Sequence, residues 1–135
     1  MRRALSLCTI LFGIACGDAT GPTPQSVAGT WNLQSVNGSS LPYSVPQGGL
    51  ANEQIIAGIL DVAANRTFTY TTTFRSNFSG QTTSFAATDS GSYAILGNAV
   101  RFVFASDSST GTGVFNGNTV TLAAEGFASL VYTKH

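Results

Sequence analysis

The chain reads as an all-β protein, an antiparallel up-and-down meander that closes into a small eight-stranded barrel. Three observations carry that expectation. Apolar and aromatic residues alternate with polar ones at period two along several short runs. The runs are joined by brief Gly-, Asn-, Asp- and Ser-containing connections that tolerate positive φ or close tight turns. Charged residues make up only 9 % of the chain, too few for the Glu-, Lys- and Arg-rich faces of surface helices.

The N-terminus has a different character. Met1-Arg2-Arg3 is a short positive start, Ala4 to Ala15 is apolar, and Gly17 to Ser26 turns to Gly, Pro, Thr and Asp. That order is the grammar of a signal peptide over residues 1–15. A spanning helix needs about 20 apolar residues, which this segment lacks. Gly13-Ile14-Ala15-Cys16 resembles the lipobox of bacterial lipoproteins, whose cysteine is diacylated and becomes the new N-terminus. The resemblance implies lipidation of Cys16, an exported protein anchored in the cell envelope, and, with Gly17 instead of Asp after the cysteine, the outer membrane. Two acyl chains give stable attachment where one is marginal. Cys8 lies in the leader and Cys16 stands alone, so no disulfide framework is available. Residues 16–27, with Pro22 and Pro24 and no apolar periodicity, read as the anchor cysteine and a flexible tether, and residues 28–135 as one folded domain.

Within that domain the strand-like runs are Thr30 to Val36, Gln54 to Val62, Thr67 to Arg75, Thr82 to Thr88, Ser92 to Leu96, Val100 to Ala105, Gly113 to Phe115, Thr119 to Ala124 and Phe127 to Thr133. Phe68, Tyr70, Thr72 and Phe74 share one face of a strand and Thr67, Thr69, Thr71 and Thr73 the other. Val100, Phe102 and Phe104 repeat the pattern, as do Tyr93 with Ile95 and Val120 with Leu122. One wet and one buried face is the mark of antiparallel pairing. Turns are expected at Ala63 to Arg66, Asp89-Ser90-Gly91, Gly97-Asn98 and Asn116 to Asn118. Successive strands joined this way are sheet neighbours, and closure removes the exposed edges. An open meander or a two-sheet sandwich is the alternative. Asn37 to Glu53 is irregular and reads as a long loop over one mouth, with a helical turn an option over Glu53 to Leu60.

Ala28-Gly29-Thr30-Trp31 with Leu33, Val36-Asn37-Gly38 and Leu41-Pro42, then Gly91-x-Tyr93, Gly97-Asn98-x-Val100 and Leu130-x-Tyr132-x-Lys134, resembles bacterial lipocalin-like domains over residues 28–135. The resemblance implies an eight-stranded barrel in which Gly29, Trp31 and Lys134 plug one end, the basic residue lying over the ring. Avidin-like barrels share Gly-Thr-Trp but need further tryptophans, and Trp31 is the only one here. Envelope META domains also open with the spacing of Trp31 to Gly38, though their cysteine-bearing and Gly-Asn motifs are missing. That reading is the minority fold.

The chemistry on offer is sparse. His135, the only histidine, ends the chain, so zinc sites and Ser-His or Cys-His nucleophiles are not expected in the folded domain, and no catalytic residues, metal or cofactor are assigned. Glu53, Asp61, Asp89, Asp107 and Glu125 are scattered. Only a cleft that gathers two of them would point to an enzyme. Without a Lys/Arg cluster in a mildly acidic domain there is no footprint for nucleic acid. The expected function is a non-enzymatic, lipid-anchored envelope protein that binds a small apolar ligand in its barrel, with Phe68, Tyr70, Phe74, Tyr93, Phe102 and Phe104 facing inward. The alternative is a barrel packed solid by those side chains, serving as a structural module or binding an envelope protein partner.

Overall fold

A computed structural model describes residues 21–46, 52–124 and 127–135. The expected signal peptide, Cys16 and Glu125 lie outside the described residues. Ten strands follow a single helical turn: α1 (Pro24–Val27), β1 (Gly29–Val36), β2 (Ser39–Ser40), β3 (Tyr43–Ser44), β4 (Glu53–Val62), β5 (Thr67–Phe78), β6 (Gln81–Leu96), β7 (Ala99–Phe104), β8 (Thr110–Asn116), β9 (Thr119–Ala124) and β10 (Phe127–Lys134). Their order in the sheet is β2-β1-β10-β9-β8-β7-β6-β5-β4-β3, with an added β1–β4 pairing. That pairing, Gly29 opposite Val62 through Asn32 opposite Ile59, closes β1 and β4 to β10 into an eight-stranded antiparallel up-and-down barrel. The open meander and the sandwich are thereby excluded.

Alternation decides which face turns inward. On β5, Phe68 and Thr72 are buried while Thr67 and Thr69 are exposed, and β7, β9 and β10 bury Val100 with Phe102, Val120 with Leu122, and Leu130 with Tyr132. These side chains join Trp31, Leu33, Leu60, Val62 and Tyr93 in one core inside the barrel, with Trp31 and Val27 at the end nearest α1. Phe68 meets Phe102 edge to face at 5.0 Å between centroids, the favoured aromatic geometry.

Two expectations need correction. Asp89-Ser90-Gly91 is no turn: β6 runs unbroken from Gln81 to Leu96, with Asp89 opposite Tyr70 and Gly91 between Phe68 and Phe104. The glycine answers to crowding, since a Cβ there would stand 1.9 Å from the Val103 carbonyl oxygen. The reversal comes earlier, at Ser79-Gly80, both at positive φ (51° and 80°), the geometry of a two-residue hairpin whose twist matches its strands. The expected loop over Asn37 to Glu53 contains the short β2 and β3, and Glu53–Val62 is strand throughout. Among the described residues, no helix is long and apolar enough to cross a membrane.

β5 and β6 outreach their neighbours. β6 pairs with β7 only from Gly91 onward, whereas its pairing with β5 continues to Phe78 opposite Gln81. The outer part of the hairpin therefore projects past the end of β7, and its residues Gln81 to Thr88 are all exposed.

Candidate functional site

The two ends of the barrel differ, and the difference begins with one residue. Trp31 is fully buried on β1, opposite Lys134 on β10 and Leu60 on β4. Its Nε1–H donates to the Val27 carbonyl at 2.9 Å. Phe115 meets the ring edge-on at 5.1 Å, and the Lys134 ammonium stands 5.2 Å from its centroid while donating to the Ser26 carbonyl. Gly29 has φ 137°, and a Cβ there would come within 2.7 Å of Lys134 Cε, so glycine gives the lysine stem room to pass. The three residues expected at the plug thus meet in one cluster.

That cluster has a part that the sequence reading assigned to the tether. Pro24–Val27 is a capped helical turn: Thr23 Oγ1 accepts from the Ser26 amide, the Thr23 amide donates to Ser26 Oγ, and Pro24 opens the turn where a missing N–H costs nothing. Val27 is fully buried beneath it. The described end of the segment expected as tether is folded onto the barrel, because Trp31 needs an acceptor for its indole and Val27 supplies it.

At the opposite end the described residues leave a cleft of about 380 Å³, between the projecting β5–β6 hairpin and the β7–β8 connection. Its apolar walls are Tyr70, Phe74, Ala87, Phe104 and Ala124, and its polar groups are Thr72, Asp89, Asp107 and Ser109. Phe104 packs edge to face against Phe68 at 5.2 Å and against Tyr70 at 6.0 Å, which ties the floor of the cleft to the core below. Phe74 stacks on Phe85 at 5.2 Å, extending the aromatic wall onto the hairpin, where Phe85 and Phe78 remain 47 % and 64 % exposed.

The six expected interior aromatics therefore divide. Phe68, Tyr93 and Phe102 are buried in the core, whereas Tyr70, Phe74 and Phe104 are partly buried and line the cleft. Sequence reasoning missed the polar groups between them. Thr72 was legible only as an inward position held by a hydroxyl in a row of aromatics, Asp89 reads as a turn residue but lies within β6, and Asp107 lies in the turn after β7.

Thr72 is only 4 % exposed, and its hydroxyl has no hydrogen-bond partner. The Tyr132 hydroxyl, also buried, likewise makes no hydrogen bond of normal geometry, and burial foremost, then Tyr70, pushes it far above the usual phenol range. Asp89 accepts from the Ser90 amide and the Ser106 hydroxyl. Asp107 accepts from the Ser109 amide at 2.8 Å, and its hydrogen bonds to Ser109 hold its carboxyl below the usual range. The cleft thus brings together two of the scattered carboxylates, the arrangement that would point to an enzyme, although the lowered carboxyl of Asp107 does not suit a general acid. Among the described residues, no group of three His, Cys, Asp or Glu side chains is placed to hold a metal ion. No family model matches the chain, and no curated protein matches it.

Proposed function

We propose that this is a non-enzymatic, lipid-anchored envelope protein whose barrel binds a small, largely apolar molecule in the cleft at the end opposite Trp31. The observation that carries the reading is the aromatic-walled cleft of about 380 Å³, whose lining residue Thr72 has a buried hydroxyl without a hydrogen-bond partner. Small-molecule sites are commonly clefts of roughly 300–1,000 Å³ with apolar walls and a few fixed polar groups. A buried hydroxyl without a partner costs about 1–3 kcal/mol, a cost that a bound polar atom removes. The anchoring half of the reading rests on the resemblance of Gly13 to Cys16 to a lipobox, and the non-enzymatic half on a cleft whose described lining carries no histidine or cysteine, with Asp89 and Asp107 taken as binding groups.

Two experiments test these halves separately. Titration with the fluorescent apolar dye phenylnaphthylamine is expected to give saturable binding, and Ala87→Trp, which puts an indole into the cleft, to weaken it more than tenfold with the melting temperature kept. Equal affinity in the variant would place binding elsewhere. Cys16→Ser is expected to move the protein from the membrane to the soluble periplasmic fraction with its β spectrum intact. Wild-type protein recovered there with an unmodified Cys16 would remove the anchor.

A further inference from the structure

The charge around the cleft is one-sided. Asp89 on β6 and Asp107 in the β7–β8 connection both line it, and neither forms an ion pair among the described residues. The basic side chains stand elsewhere. Lys134 lies over Trp31 at the plugged end. Arg66 sits in the β4–β5 turn at that same end, and Arg75 donates to Gln54 at 2.8 Å. Arg101 is exposed on β7, one residue before the inward Phe102, and so on the outer face.

Taking the cleft as a ligand site, we infer that its occupant carries a cationic head, an ammonium or guanidinium, on an apolar body. The head lies against Asp89 and Asp107 and the body against Tyr70, Phe74 and Phe104. Two features of the site bear on that sign. Each carboxylate offers about four acceptor positions, and the hydrogen bonds to Ser90 and Ser106 on one and to Ser109 on the other leave several open towards a donor. The walls are aromatic at Tyr70, Phe74 and Phe104, and aromatic rings attract a cation placed over their faces. The buried Thr72 hydroxyl lies diagonal to Asp89 across the β5–β6 ladder, because Thr72 pairs with Ala87 and Tyr70 with Asp89. Diagonal neighbours on one face are roughly 7–8 Å apart at the backbone, which places Thr72 and Asp89 on the same wall of the cleft. The same two carboxylates disfavour a fatty acid or any other anionic amphiphile, which would meet uncompensated negative charge.

A matched series separates this inference from the reading it rests on: naphthylethylamine, naphthylethanol and naphthylacetate, titrated against the full chain by naphthalene fluorescence. The amine is expected to bind about tenfold tighter than the alcohol and the acetate most weakly, with the amine's advantage shrinking as salt screens it. In the Asp89→Asn/Asp107→Asn double variant the amine should fall to the affinity of the alcohol, while the alcohol stays as in wild type and thereby reports an intact cleft. Equal binding of all three to wild type, or an amine preference that survives the double variant, overturns the cationic head and leaves the apolar cleft standing. If none of the three binds, the cleft reading and this inference fall together.

Discussion

Burial of the Trp31 indole, with its one polar atom bonded to Val27, makes that residue the point through which β1, β4, β10 and α1 are held in register. Truncating such a side chain costs about 3–5 kcal/mol, and a domain of this size has about 5–15 kcal/mol in all. Trp31→Ala is expected to be largely unfolded or to melt far below wild type. Lys134→Ala removes a cation that lies over the ring near solvent and should cost about 1 kcal/mol or less. Thermal melts of the two variants order them. Thr72 carries the reverse expectation: its hydroxyl is orphaned, so Thr72→Val should raise the stability of the free protein by about 1 kcal/mol in urea titrations. In the same variant, the affinity for a hydrogen-bonding ligand should fall. Residue-level reading of the sequence found Trp31 because Gly-x-Trp is a spacing. It could not find Thr72, because a lone threonine in an alternating strand looks like any other until its neighbours in space are known.

At the scale of elements, α1 and the β5–β6 hairpin are what the sequence left indistinct. Pro22, Pro24 and Gly21 do suit a linker, and the capping pair Thr23 and Ser26 is too short a signal to mark a helix on its own. The turn gains its stability from tertiary contact, through Val27 and the Trp31 hydrogen bond. A chain starting at Ala28 should therefore be about 2–4 kcal/mol less stable than one starting at Gly21, from lost Val27 burial and a stranded indole N–H. Asp89-Ser90-Gly91 has the residue types of a turn, yet Gly91 lets two strands approach closely and Asp89 lines the cleft. The hairpin's outer stretch, Gln81 to Thr88, has β5 on one side and, among the described residues, no strand on the other, so alternate amides there are unbonded to the described sheet. Hydrogen exchange should show fast alternate amides along that stretch against slow ones in β9, which is paired on both sides. Uniform protection would mean that something covers the edge.

For the whole molecule, strand period and turn chemistry were enough to read an eight-stranded meander, because antiparallel neighbours joined by tight turns admit few other arrangements. What they could not read is that the barrel is plugged at one end and, among the described residues, holds a cleft at the other. That asymmetry depends on which inward aromatics lie at the height of Trp31 and which lie beyond it, and height follows from strand stagger, a property no single run reveals. Closure itself depends on β1 pairing with both β4 and β10, the last strand. A chain ending before Phe127 should show no cooperative urea transition, since β1 and β9 would both lose a partner. The same pairing sets a timetable. Trp31 meets Lys134 across almost the full length of the domain, and contacts so remote in sequence form slowly, on the scale of milliseconds to seconds. A chain emerging N-terminus first has no barrel to close until β10 is out. Until then it is an open thread with no inside.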